Sequence, residues 1–429
     1  MEKKKGNFLA IIVMILLFGM ISFVTNLASP MGDILKNQFS VANWMGTLGV
    51  LMNFIAYAVM GIPAGNMLQK LGYKKTALVA VTVGFVGVGI QTISGTIDSN
   101  AAFGVYLLGA FIAGFSMCML NIVVNPMLNK LGGGGNKGNQ LIQVGGSFNS
   151  LMGTACIFLT GVLIPNGIKN AVISDVFPLM FLALGIFALA FVVILLTKIP
   201  ENPVQKIEKG EKSQYGPMSF RHFVLGAVAI FIYVGVEVGI PNVLQKWLQN
   251  GGLNVATGAE AIAGTVTATY WFLMLVGRLL GAAVGAKVSA KAMLTTVSGI
   301  GLIFVILAIF LNPSTVVGLP VFKGTEGFGI AEVPVNAALL VLCGLCTSVM
   351  WGGIFNLAVE GLGKYTERAS GIFMALVCGG GILPFVQNFV VDLSGNYLVS
   401  YWVVAAGLAF LLFYALVGSK NVNKDIPVE

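Results

Sequence analysis

Residues 177–196 read FPLMFLALGIFALAFVVILL and residues 221–241 read RHFVLGAVAIFIYVGVEVGIP, with TKIPENPVQKIEKGEKSQYGPMSF at 197–220 between them. An uncharged apolar run of about 20 residues has the length of a helix crossing ~30 Å of hydrocarbon. The stretch between is its opposite. Pro200, Pro203, Lys206, Glu208, Lys209, Glu211 and Lys212 make it a solvated linker that no bilayer would hold. Span, charged linker, span: extended in both directions, this pattern decides the fold.

Twelve such spans follow one another, centred near residues 18, 54, 86, 113, 152, 187, 234, 272, 302, 345, 381 and 408. Charged residues are 9% of the chain and mean hydropathy is +0.92, too apolar for a soluble protein of 429 residues to hide. Barrel strands would alternate over ~10 residues, and the chain shows no such alternation. Helices satisfy their own backbone hydrogen bonds in lipid, so the reading is all-α and integral to the membrane.

Lys and Arg give the orientation. Lys3, Lys4, Lys5, Lys70, Lys74, Lys75, Lys130, Lys137, Lys198, Lys206, Lys209, Lys212, Arg221, Lys287, Lys291, Lys364, Arg368, Lys420 and Lys424 fall in alternate gaps. The other gaps hold only Lys36, Lys169, Lys246 and Lys323, and Arg278 lies within a span. Such a bias places both termini in the cytoplasm, and reads the net charge of +8 as a topology signal rather than a nucleic-acid surface. The first span, with no small-residue cleavage site after it, is an uncleaved helix. Cys118, Cys156, Cys343, Cys346 and Cys378 all lie in spans and read as small apolar fillers. The sequence asks for no metal and no cofactor.

The linker divides the chain into a first six-helix bundle (1–200), a connector (201–221) and a second six-helix bundle (222–429). The halves echo each other. Gly61-Ile-Pro-Ala-Gly65 has a counterpart 216 residues later in Gly277-Arg-Leu-Leu-Gly281, and Leu131-Gly132 answers to Leu362-Gly363 at an offset of 231. The longer second offset fits a long outer loop from Asn312 to Pro334. Twelve helices as two parallel repeats is the architecture of major facilitator transporters, whose substrate site lies near the midplane between halves.

Polar groups inside hydrocarbon are costly, a central charge by ~2.5–3.5 kcal/mol on insertion scales, so those present face a cavity or a partner. Asn26, Asn121, Asn125, Gln143, Asn149, Asn356 and Gln387 supply amides, and Tyr233 and Tyr270 supply aromatic faces. Amides that both donate and accept, with rings to cover C–H faces, suit a neutral polyhydroxy ligand. The competing reading of each amide is glue between helices. Glu237, between Gly235 and Gly239, is the leading candidate for proton exchange or sugar binding; Asp33 is second. Arg278 reads as a residue that snorkels or caps the gate on the inner side, and Glu360 as the partner of a gate salt bridge. Glycine runs at 132–135 and 379–381 follow no strand and lack the Gly-Lys-Ser/Thr ending of a nucleotide loop.

In order along the chain, "GIPAG" (61–65) with "LGYKKT", Asn125-Pro126 with Leu131-Gly132, "GGSFNSLMG" (145–153), "YVGVEVG" (233–239), "WFLMLVGRLLG" (271–281) and "GGIFNLAVEGLG" (352–363) resemble the fucose/glucose–galactose sugar permease family within the major facilitator superfamily. The resemblance implies monosaccharide uptake across a bacterial inner membrane, usually with a proton. Two acids of fucose-type members are replaced here, at Ser29 and Asn121, while the glutamate of the "YVGxE" run is kept as Glu237. The usual fifth-helix glutamine falls at Gly146, with Gln143 nearby. The expectation is a monomeric, multi-pass importer whose partners are a monosaccharide, a proton and lipid, with an uncoupled facilitator or a permease for another polyol or amino sugar as the alternative. Clustered carboxylates or histidines for an enzyme are missing, and so is a soluble output domain for a sensor.

Overall fold

The computed structural model of the chain describes residues 2–41, 45, 48–163, 171–201, 215–254, 259–323 and 327–428. The side chain of Asp33 and the linker residues 202–214 lie outside the described residues.

Among the described residues, ten helices are long and apolar enough to cross a membrane. One, Leu48–Ser94, is two spans merged across Gly72, whose φ of 80° breaks the helix. With Gly135–Leu163, which is 29 residues long, the set is twelve, as the sequence predicts. In order they are α1 (Glu2–Phe39), α2 (48–71), α3 (73–94), α4 (Ala101–Leu131), α5 (Gly135–Leu163) and α6 (Phe177–Leu196). The second six are α7 (Arg221–Trp247), α8 (Ala259–Val284), α9 (Ala290–Phe310), α10 (Val335–Val359), α11 (Gly363–Ser394) and α12 (Tyr401–Gly418). We call the end carrying Lys70, Lys74, Lys75, Lys130 and Lys364 the basic end.

The break at Gly72 is held by charge. The new N-terminus of α3 gives its Tyr73 and Lys74 amides to the Glu201 carboxylate at 2.7 and 2.8 Å, an anion where the helix dipole favours one. Lys74 Nζ in turn donates to the Leu195 and Thr197 carbonyls at the end of α6, at 2.8 and 2.9 Å.

Small residues let helices touch by backbone. A Cβ on Gly61 of α2 would lie 2.5 Å from the Ala375 nitrogen of α11, and one on Gly65 would lie 2.8 Å from the Gly371 Cα. The second copy of the motif works differently: Gly277 and Gly281 of α8 lie chiefly against Ser348 and Val349 of α10, in their own half. Gly285, just past the end of α8, lies against Gln140 of α5. Two seams thus join the halves, α2 against α11 and α5 against α8, and the repeated glycines line the first.

Two features depart from expectation. The segment 312–334 is a β-hairpin, β1 (Val316–Phe322) antiparallel to β2 (Phe328–Pro334), pairing Val316 with Pro334 and Phe322 with Phe328. Val321, Ala331 and Val333 are its buried residues; burial alternates along β1 as a pleated strand requires, an alternation that its almost wholly apolar sequence does not display. Secondly, α10 is broken between Thr347 and Met350; the Val349 carbonyl keeps a backbone partner in the Gly353 amide at 3.2 Å, while the Ser348 carbonyl turns to a side chain of another helix.

Candidate functional site

The seam between α5 and the second half gathers most of the polar side chains. Its centre is Glu237 on α7, whose Oε1 lies 3.3 Å from Nη2 of Arg278 on α8; the two side chains are 13% and 12% exposed. Arg278 does not snorkel, contrary to the sequence reading. Buried in a low dielectric, its guanidinium needs a partner for each fork, and it finds them on three helices. Nη1 donates to Ser150 Oγ at 2.6 Å, the Gly146 carbonyl at 3.2 Å and Asn149 Oδ1 at 3.4 Å, all on α5. Nε donates at 3.3 Å to the Ser348 carbonyl freed by the break in α10. Asn149 passes the connection on, donating to the Phe18 carbonyl of α1 at 2.7 Å.

The Val349 carbonyl, besides its backbone bond, accepts from Gln143 Nε2 of α5 at 3.0 Å. Below it, Trp351 Nε1 donates to Asn125 Oδ1 of α4 at 3.0 Å, and Asn129 Nδ2 donates to Asn356 Oδ1 at 2.7 Å. Three amides of the first half therefore fasten the short stretch from Val349 to Asn356. Gln140 adds a fourth link, to the Ala282 carbonyl at 2.9 Å. Among the described residues, each hydrogen bond that crosses between halves lies at the middle of the bundle or toward the basic end. The conformation is one with the basic end shut.

Around this core the predicted residues take distinct places. Asn121 is buried, donating to Tyr57 Oη at 2.7 Å and accepting from Asn125. Tyr233 is buried beside Trp351, ring centroids 6.4 Å apart, with its hydroxyl near the Glu237 carboxyl but without a well-formed hydrogen bond. Tyr270 is a brace, its hydroxyl donating to the Glu237 carbonyl at 3.1 Å and hydrogen-bonded to Thr347 Oγ1 at 2.9 Å. Asn26 is half-buried, donates to Ser22 within its own helix and abuts Gly153 of α5. Gln387 of α11 is buried against Gly239, its Nε2 with no partner among the described residues. Glu360 stands apart. Its side chain is exposed and its carbonyl is bonded to His222 Nε2 at 2.9 Å, and no ion pair of Glu360 is found among the described residues. A cavity of about 180 Å³ opens at the basic end, lined by Tyr73, Asn129 and Lys130 of one half and Thr366 and Glu367 of the other.

Sequence reading missed Ser150, Asn129 and Gln140. A signal existed for two of them. Asn121, Asn125 and Asn129 stand at i, i+4 on one face of α4, and Gln143, Gly146 and Ser150 form a like stripe on α5.

Twelve spans in two matching bundles, joined at a polar seam, define a membrane carrier. Residues 9–384 match the Major Facilitator Superfamily, and the chain belongs to it. It is 28% identical over 425 residues to a glucose/galactose transporter of Brucella abortus, covering 98% of this chain and 96% of that one. It is 21% identical to the L-fucose-proton symporter of Escherichia coli, covering 98% and 97%. Its backbone matches a solved Major Facilitator Superfamily transporter, FucP, in the outward conformation, with a TM-score of 0.79 over 96% of this chain and 99% of that one, at 20% identity.

Proposed function

We propose that the protein imports a monosaccharide, a hexose or deoxyhexose, across a bacterial inner membrane by alternating access, with a proton taken up by Glu237. The observation that carries this reading is the make-up of the seam: neutral amides from both halves surround a single buried ion pair. Amides match sugar hydroxyls in both donor and acceptor sense, and a carboxylate that can lose its charge is the economical carrier of a proton inside a membrane. The names of the relatives support the same substrate class. In this reading the basic end faces the cytoplasm, the chain works as a monomer in lipid, and the described conformation is open to the outside. Asn26, Asn121, Gln387, Tyr233 and Trp351 line the sugar's path, while Asn125, Asn129, Gln143 and Asn356 hold the inner gate. The boundaries 1–200, 201–221 and 222–429 mark two bundles that rock about the seam.

An uncoupled facilitator is the second reading, favoured by Ser29 and Asn121 where fucose-type permeases carry acids. Uptake of labelled glucose, galactose and fucose into proteoliposomes, with and without an imposed pH gradient, tests both. Proton-driven accumulation in the wild type that is lost in Glu237→Gln supports coupling. Equilibration without accumulation supports the facilitator, and no uptake of any sugar overturns the proposal.

A further inference from the structure

Arg278 belongs to the second half by sequence and to both halves by contact. Nη2 serves Glu237, Nε serves the broken α10, and Nη1 serves three acceptors on α5 of the first half, the nearest being Ser150 Oγ at 2.6 Å. Among the described residues, Glu237 is the ion-pair partner found for this guanidinium. Tyr233 of α7 and Tyr270 of α8 adjoin the carboxyl. Cys343 and Cys346 of α10 lie behind Tyr270, and Tyr401 of α12 is spent on the Ile240 carbonyl. From α11 come Gln387 and Cys378, and α5 brings only amides, a carbonyl and a hydroxyl.

We propose that Arg278 is the positioning residue that carries the charge state of Glu237 to the first half, through Ser150. The inference rests on the reading of Glu237 as the proton carrier. A proton adds to Glu237 Oε1 and leaves a neutral carboxylic acid; the ion pair to Nη2 is broken, and no other bond changes. The guanidinium is then a buried charge without a counter-ion, which a closed seam tolerates poorly. Water entering between α5 and α8 relieves it, so the neutral form of Glu237 favours opening at the basic end, and loss of the proton there restores the pair and the closed seam. A ligand shifts a conformational balance only by its different affinity for the two states, and this arrangement gives the proton that difference. Because the acids at Ser29 and Asn121 are gone, coupling in this chain has moved to the second half and must be read across the seam. Arg278 touches both Glu237 and the first half.

Ser150→Ala tests this without touching Glu237 or any group placed on the sugar's path. In proteoliposomes, hexose exchange at equal pH on both sides is expected to stay within about twofold of wild type. Accumulation driven by a pH gradient is expected to fall about tenfold, the factor carried by a hydrogen bond to a charged group. Ser150→Thr, which keeps the hydroxyl, restores it, and Arg278→Lys, with the charge but not the fork, does not. Wild-type accumulation in Ser150→Ala overturns the proposal, as does a parallel fall in exchange that Ser150→Thr fails to restore. Absence of pH-driven accumulation in the wild type overturns the reading of Glu237 itself, so the two failures are separable.

Discussion

The two seams between the halves are built by opposite means. At α2 and α11, Gly61, Gly65 and Gly371 bring backbone to backbone, and hardly a polar side chain takes part. At α5 and α8, glycines make room instead for side chains: Gln140, Gln143, Asn149, Ser150 and Arg278. The first seam is chiefly a steric fit, with Glu367 of α11 beside Tyr73 of α3 at its basic end. The second is held by hydrogen bonds and one ion pair, each of which a proton or a hydroxyl can compete for. The polar contacts between halves are thus concentrated at one seam.

The largest effect should come from the polar seam. Glu237→Leu leaves Arg278 buried without its counter-ion, a loss of about 3–5 kcal/mol, read as a fall in the thermal unfolding temperature of the purified protein. An unchanged temperature would show that water already reaches the guanidinium. Next is the steric seam. Gly61→Leu places a side chain where even a Cβ would meet the Ala375 backbone, and overpacking costs about 1–3 kcal/mol. The closed basic end should lose population, widening the distance between spin labels on exposed Lys75 and Lys420. The smallest effect has the opposite sign. Asn139 of α5 is fully buried against Gly352, with neither amide atom bonded among the described residues. An unmet buried amide costs about 1–3 kcal/mol, so Asn139→Leu should tighten the closed state and narrow the same label distance distribution. Widening instead would mean the amide bonds to water there.

Much of the architecture was legible because lipid leaves so few options. A run such as 177–196 can only be a helix in lipid. The glycine repeats were also legible, though not their use as seams. The amides were identified as a group, but which of them face ligand and which face the other half was not. Gln143 and Val349 are 206 residues apart, and Asn129 and Asn356 are 227 apart; no local pattern joins them. The break in α10 was invisible for the same reason, since nothing in Thr347-Ser348-Val349 forbids a helix and the Ser348 carbonyl finds its partner in Arg278, which arrives from elsewhere.

By itself the sequence determined that this chain is built of membrane-spanning helices and how many of them there are. Hydrophobic length and charge are additive along a chain, and a chain displays them openly. Only the folded molecule decided that Arg278 turns inward to Glu237 and reaches Ser150. A buried charge chooses its partners by distance in space, over spans of 41 and 128 residues, and that distance exists only once the helices are packed.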